Sequence, residues 1–250
     1  MSEIQIEQPP SDAISNIRFS TTSSQYLLVS SWDASVRLYD IEANKLKHSY
    51  NHSLAVLDCY YKDMNQSYSG GLDKTLKYYD FTSQKETILG THDQAIKCVH
   101  YSHSLNLIIT GSWDKYIKLW DPRAPKFVGA YEQPDKVYTL DTCDNKLVVG
   151  TANRKIKIWD LKNMENSELR ESNLKFQTRA IRCFPNKTGY VVSCIEGRVG
   201  IEYFDSDIQG KKYAFKCHRT KENGVEIIYP VNAIAFNSLY NTFATGGSDW

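Results

Sequence analysis

Hydrophobic residues along this chain come in short bursts that alternate with polar ones, and each burst is broken by small or acidic residues. That period of two predicts β-strands, not helices. The clearest stretch reads Thr110-Gly111-Ser112-Trp113-Asp114, followed by Ile117, Leu119, Trp120 and Asp121. It predicts a small-residue strand, an Asp turn, and an alternating strand that ends in an aromatic-Asp pair.

The same pattern recurs. Ser30-Ser31-Trp32-Asp33 leads to Leu38-Tyr39-Asp40, Gly70-Gly71-Leu72-Asp73 to Tyr78-Tyr79-Asp80, and Gly150-Thr151-Ala152-Asn153 to Ile158-Trp159-Asp160. A divergent copy stands at Ser193-Cys194-Ile195-Glu196-Gly197 with Ile201 and Tyr203, and another begins at Gly246-Gly247-Ser248-Asp249. The turn residues Asp33, Asp73, Asp114 and Asn153 are 39 to 41 residues apart. Between the turns lie short apolar segments that predict inner strands, from Ala55-Val56 to Cys59, Ala95-Ile96 to Val99, Ala180-Ile181 to Phe184, and Val231 to Phe236. Four short strands per period of about forty are the pattern of propeller blades. The whole sequence resembles the WD-repeat family. The implied fold is an all-β propeller, read as one domain over residues 1–250.

Propellers of this type usually close with seven blades, the N-terminal strand, here read as Glu3 to Glu7, completing the last one. In this chain the sixth copy reaches only Trp250. The expectation is therefore a truncated product of about five and a half blades, an incomplete ring with two sheet edges and one apolar blade face left open.

Composition narrows the function classes. With 41% hydrophobic and 24% charged residues the chain can bury a large core. Thirty Lys and Arg against twenty-nine Asp and Glu leave a net charge of +1, too little for a global field that holds a nucleic-acid backbone or an anionic membrane. Any anion site must be local. No apolar run is long enough to span a bilayer, and the Ser-, Glu-, Gln- and Pro-rich N-terminus lacks a secretory apolar core, which points to an intracellular compartment. Cys59, Cys98, Cys143, Cys183, Cys194 and Cys217 form no Cys-x-x-Cys pair and read as reduced thiols. No cofactor or metal set is evident.

His92 and His52 precede inner strands at the place where the WD-repeat family carries a Gly-His pair. The resemblance implies a structural network of His92, Thr110 or Ser112, Asp114 and Trp120, which rigidifies a blade. A hydrolase triad is the superficial alternative. No Gly-x-Ser-x-Gly elbow supports it. The recurrence of Asp93, Asp114 and Asp121 with the repeat likewise favours turns over a metal site.

Other residues exceed what the fold requires. Trp32 and Trp113 stand just before the turn Asp, where the other copies carry Leu72, Ala152, Ile195 and Ser248. In WD propellers this place lies on the narrower top face, so exposed indoles there read as anchors for a partner, the alternative being a packing role against a neighbouring blade. Arg179 puts charge at the start of an inner strand, Arg198 follows the turn Glu196-Gly197, and the segment Lys212 to Arg219 adds further cations. Such a cluster suits carboxylates or a phosphate, the alternative being a solvated charge patch.

The runs Leu27 to Asp33, Lys175 to Asn186, Cys194 to Arg198 and Lys212 to Arg219 resemble the spindle-checkpoint WD-repeat family of the Bub-three type. The messenger-RNA export propellers of the nuclear pore are close relatives. Arg37-Leu38-Tyr39-Asp40 and Tyr229 to Ile234 favour the checkpoint branch. The resemblance implies a non-catalytic scaffold of the nucleus and the mitotic kinetochore, a component of the mitotic checkpoint complex, with ubiquitin binding among the family's properties. It implies two ligands. One is the GLEBS segment of a checkpoint kinase or its kinase-like paralogue, with glutamates on Arg179 and apolar residues near Trp32 and Trp113. The other is a phosphothreonine in the Met-Glu-Leu-Thr repeats of a kinetochore scaffold, held by Arg198 and Lys216. The alternative is an mRNA-export protein that binds a nuclear-pore GLEBS motif.

Overall fold

A computed structural model describes residues 4–20, 22–205, 207, 209–237 and 239–249. Two compact units divide the chain, Met1–Glu132 and Gln133–Trp250.

The first unit holds three four-stranded antiparallel sheets. They are built from Ile14–Phe19, Tyr26–Ser31, Ser35–Asp40 and Lys45–Asn51 (β1 to β4), then Val56–Asp63, Gln66–Gly71, Thr75–Asp80 and Lys85–Thr91 (β5 to β8), then Ile96–Ser102, Leu107–Ser112, Tyr116–Trp120 and Phe127–Glu132 (β9 to β12). Each sheet is a meander whose strands pair in sequence order. The second unit repeats the scheme with Val137–Cys143, Lys146–Thr151, Lys155–Asp160 and Asn163–Glu171 (β13 to β16), and with Thr178–Cys183, Gly189–Cys194, Arg198–Tyr203 and Tyr213–Lys216 (β17 to β20). Two hairpins follow, Arg219–Glu222 with Val225–Ile228 (β21, β22) and Val231–Asn237 with Thr242–Gly247 (β23, β24).

Successive sheets stack face to face within each unit, and this explains the apolar pattern. The second strands are covered on both faces, so β14 (KLVVGT) and β18 (GYVVSC) read as continuous small and apolar runs. The fourth strands lie at the free edge and are mostly exposed, as in β8 and β16. Between the first two sheets the core is Leu28, Val36, Leu38, Tyr50, Val56 and their neighbours. Ile181, Tyr190 and Val192 fill the same role in the second unit.

Polar side chains stitch neighbouring sheets at a spacing of one repeat. Asp58 Oδ2 accepts from the Val99 amide at 2.8 Å, and Asp141 Oδ2 from the Cys183 amide at 2.8 Å. The Thr139 hydroxyl accepts from the Ile181 amide at 3.0 Å. Each bond satisfies an inner-strand N–H that no ladder partner reaches.

The chain start differs from expectation. Glu3 lies outside the described residues, and residues 4–7 are not in a strand. Side chains of β3 hold the segment that follows instead: Arg37 donates to the carbonyls of Gln8 and Pro9 at 2.8 and 2.7 Å, and the Tyr39 hydroxyl donates to Gln8 at 2.8 Å. Ile6 packs on Leu27, Val29 and Tyr39. Trp250 also lies outside the described residues.

Candidate functional site

Every inner strand carries one extra residue near its start. The pairing slips by one at Ser15, Leu57 and Lys97 in the first unit, and at Tyr138, Arg179 and Asn232 in the second. A bulge of this kind re-aims a side chain out of the pleat. Arg179 and Asn232 are thus equivalent positions of successive sheets. Arg179 is exposed, and its Nε and Nη2 donate to Asn232 Oδ1 at 3.0 and 2.7 Å. Asn232 Nδ2 in turn donates to the Ser248 hydroxyl at 2.8 Å. The amide orients the guanidinium without neutralising it. Arg179 keeps its full charge and its Nη1 edge for a planar anion.

Arg198 is set differently. It opens β19 directly across from Lys216 on β20. Like charges facing each other across a ladder repel. Glu196 relieves part of this, with Oε2 3.2 Å from Arg198 Nε and Oε1 3.8 Å from Arg219 Nη2. Lys216 is exposed, and among the described residues no acid pairs with it. The turn that positions Arg198 depends on Gly197, whose φ is +57°. A Cβ there would lie 2.6 Å from the Cys217 carbonyl, so only glycine fits. The Cys217 amide donates to the Gly197 carbonyl at 3.0 Å, and Arg219 donates to the Glu196 carbonyl at 2.7 Å.

The two tryptophans are presented unequally. Trp32 is 49% exposed. Trp113 is half-buried, and its indole N–H is closed off from solvent without a hydrogen-bond partner. The same turn position therefore offers a full indole face in the first sheet and only part of one in the third.

The histidine network is geometrically complete. The Trp120 indole donates to Thr110 Oγ1 at 2.8 Å, the Thr110 hydroxyl lies 2.7 Å from His92 Nε2, and His92 Nδ1 lies 2.8 Å from Asp114 Oδ2. Since a carboxylate only accepts, Nδ1 carries the proton and the Thr110 hydroxyl donates to Nε2. Ser112 stands outside this relay; its hydroxyl accepts from the Asp114 amide at 3.1 Å. Burial pushes the His92 pKa below its ordinary value despite the opposing Asp114 bond. Burial works against the Asp114 charge, but the His92 bond prevails and holds its carboxyl low. Two more copies stand among the described residues. His52 joins Asp73 and Ser69 at 2.8 Å each, with the Tyr50 hydroxyl replacing the indole, and His218 joins Asp249 and Thr245 at 2.5 and 2.8 Å. In the fourth sheet Gln133 takes the histidine's place and accepts from the Trp159 indole at 3.2 Å.

Of the basic side chains between Lys212 and Arg219, His218 thus belongs to a blade network and Arg219 clamps a turn. Sequence reasoning assigned no role to Asn232, Glu196 or Ser248. Asn232 stands one residue into an inner strand as Arg179 does, but nothing in the sequence marks it as the partner of Arg179. Cys59, Cys98, Cys143, Cys183 and Cys194 are buried free thiols, and Cys217 is partly buried.

Stacked four-strand meanders, three of them with an Asp turn and most with a His or Gln relay, define a WD-repeat β-propeller protein. The WD domain, G-beta repeat, matches residues 4–40 and 83–121. The chain is 52% identical over 253 residues to the mitotic checkpoint protein BUB3.1 of Arabidopsis thaliana, spanning 98% of this chain and 74% of that one. It is 43% identical to the mitotic checkpoint protein bub3 of Dictyostelium discoideum, with 98% and 76% covered. To the mRNA export factor GLE2 of Chaetomium thermophilum it is 37% identical, with 99% and 72% covered. The chain belongs to the Bub3 family of mitotic checkpoint WD-repeat proteins.

Proposed function

We propose that this protein is a spindle-checkpoint scaffold that binds two peptide ligands and catalyses no reaction. A phosphothreonine in a Met-Glu-Leu-Thr segment of a kinetochore scaffold is held by Arg198 and Lys216. Glutamates of a GLEBS segment, from a checkpoint kinase or its kinase-like paralogue, meet Arg179, while Trp32 and Trp113 take its apolar residues. Binding both ligands brings the kinase to unattached kinetochores. This reading takes the chain's sheets as about five and a half blades of an expected seven.

The observation that carries the proposal is the like-charge pair Arg198 and Lys216, facing each other across one ladder. A fold seeking stability alone gains nothing from that pairing, whereas a phosphoryl dianion bridges the two. Lys216 supplies charge without the planar fork of Arg, so Arg198 carries the directional bonds. The test is the affinity of phosphorylated and plain Met-Glu-Leu-Thr peptides. Wild type should favour the phosphorylated form, and Arg198→Ala should erase the preference; equal binding of both by wild type would refute it. For the other ligand, Arg179→Glu should cost about 2–5 kcal/mol of GLEBS affinity, the range for a desolvated interfacial charge pair.

The likeness to the mRNA export factor GLE2 supports a second reading, in which the GLEBS partner belongs to the nuclear pore. Co-purification from mitotic cells separates the two by which GLEBS protein is recovered.

A further inference from the structure

We propose that Glu196 is a tethered competitor for the phosphate site: its carboxylate occupies Arg198 until a phosphoryl group displaces it, which keeps unphosphorylated acidic segments off the site. The inference rests on the phosphate reading of Arg198 and Lys216. Glu196 Oε2 lies 3.2 Å from Arg198 Nε, yet that N–H makes no directional hydrogen bond. The contact is therefore charge attraction without good alignment, and it is cheap to break. The side chains of Glu196 and Arg198 are 26% and 35% exposed, so solvent reaches both side chains, although Arg198 Nε itself is closed off from it.

The backbone around Glu196 is independent of that contact. Arg219 holds the Glu196 carbonyl at 2.7 Å, Arg219 itself is paired with Glu226 at 3.0 Å, and the Cys217 amide holds Gly197. The carboxylate can leave Arg198 while the turn stays in place. Only one residue separates Glu196 from Arg198, so its local concentration exceeds that of any carboxylate in solution.

The competition has a threshold. An incoming Asp or Glu offers Arg198 one negative charge, which Glu196 already supplies, and so gains little by displacing it. A phosphoryl group brings about −1.5 to −2 charges and three acceptor oxygens, enough to engage Arg198 and the facing Lys216 together. A positioning role for Glu196, in which its contact aims Arg198 at the ligand, makes the opposite prediction.

The experiment titrates fluorescent peptides carrying Met-Glu-Leu-phosphothreonine, the plain threonine form, and an aspartate form against the full chain and its Glu196→Gln variant. Removing the competitor should tighten the phosphopeptide about two- to fivefold, the span that a partly exposed ion pair is worth, and should bring the aspartate peptide into the measurable range. An unchanged or weakened phosphopeptide in Glu196→Gln overturns the inference while leaving the phosphate reading standing. Phosphate-independent binding by wild type removes both. Should Glu196→Gln fold poorly, Glu196→Ala tests the same sign, and a gain in affinity cannot arise from lost folding.

Discussion

At the scale of single residues, the turns after the recurring Asp are strained in a way that the sequence conceals. Ala34, Lys74, Lys115 and Arg154 take positive φ of 67°, 66°, 71° and 62°, where a Cβ is unfavourable; only the fifth copy has glycine there, at Gly197. Ala34→Gly should raise stability by about 0.5–1 kcal/mol, because relief of left-handed strain outweighs the added freedom of the unfolded chain. Urea denaturation measures the gain. The His92 relay makes a pH prediction. Its folded pKa lies below the ordinary 6.5, so the unfolded state takes up the proton first. Stability should fall as pH drops below about 6.5. Asp114, held below its ordinary 3.8, extends the loss at lower pH. His92→Gln, which imitates Gln133 of the next repeat, should flatten the decline between pH 7.5 and 5.5. An equal slope in variant and wild type would show that His92 does not titrate the fold.

At the scale of elements, what matters is how neighbouring sheets are joined and how inner strands are bulged. The Thr139 hydroxyl answers the Ile181 amide one repeat away, and Thr139 is buried. Thr139→Val keeps the shape and orphans that N–H, so it should destabilise the protein by roughly 1–3 kcal/mol in denaturant titrations. The bulges are the device that turns a repeat into a site. Arg179 projects because β17 slips by one residue, and Asn232 meets it because β23 slips at the same place. Asn232→Asp would replace a neutral acceptor with a counter-charge. GLEBS-peptide affinity should fall by about tenfold, in keeping with an interfacial charge being neutralised, while Asn232→Ala should cost less. A strand slip of one residue leaves no mark in an apolar pattern, which is why Arg179 was legible as an oddity of composition but Asn232 was not legible as its partner.

At the scale of the whole molecule, a net charge of +1 leaves recognition to local groups. The protein should leave a heparin column below physiological ionic strength, even though it carries Arg179, Arg198 and Lys216; tight retention would point to a broader basic surface. The sequence by itself determined the blade architecture, because a repeat of about forty residues imposes a similar turn and the same alternation on successive copies, and a relay on most of them. It also determined the chemistry available at the turns, including both tryptophans and the cations. Tertiary structure decided which of those groups stay available. Trp113 is half closed while Trp32 stands open, His218 is absorbed into a blade, Arg198 is answered by Glu196, and Arg179 is held by an uncharged amide. The reason is physical: periodicity along a chain reports which face of a strand is buried, whereas the charge state and reach of a side chain depend on neighbours brought from another repeat. Glu196 stands beside Arg198 through a local turn, but Asn232 reaches Arg179 only because the next sheet stacks against it.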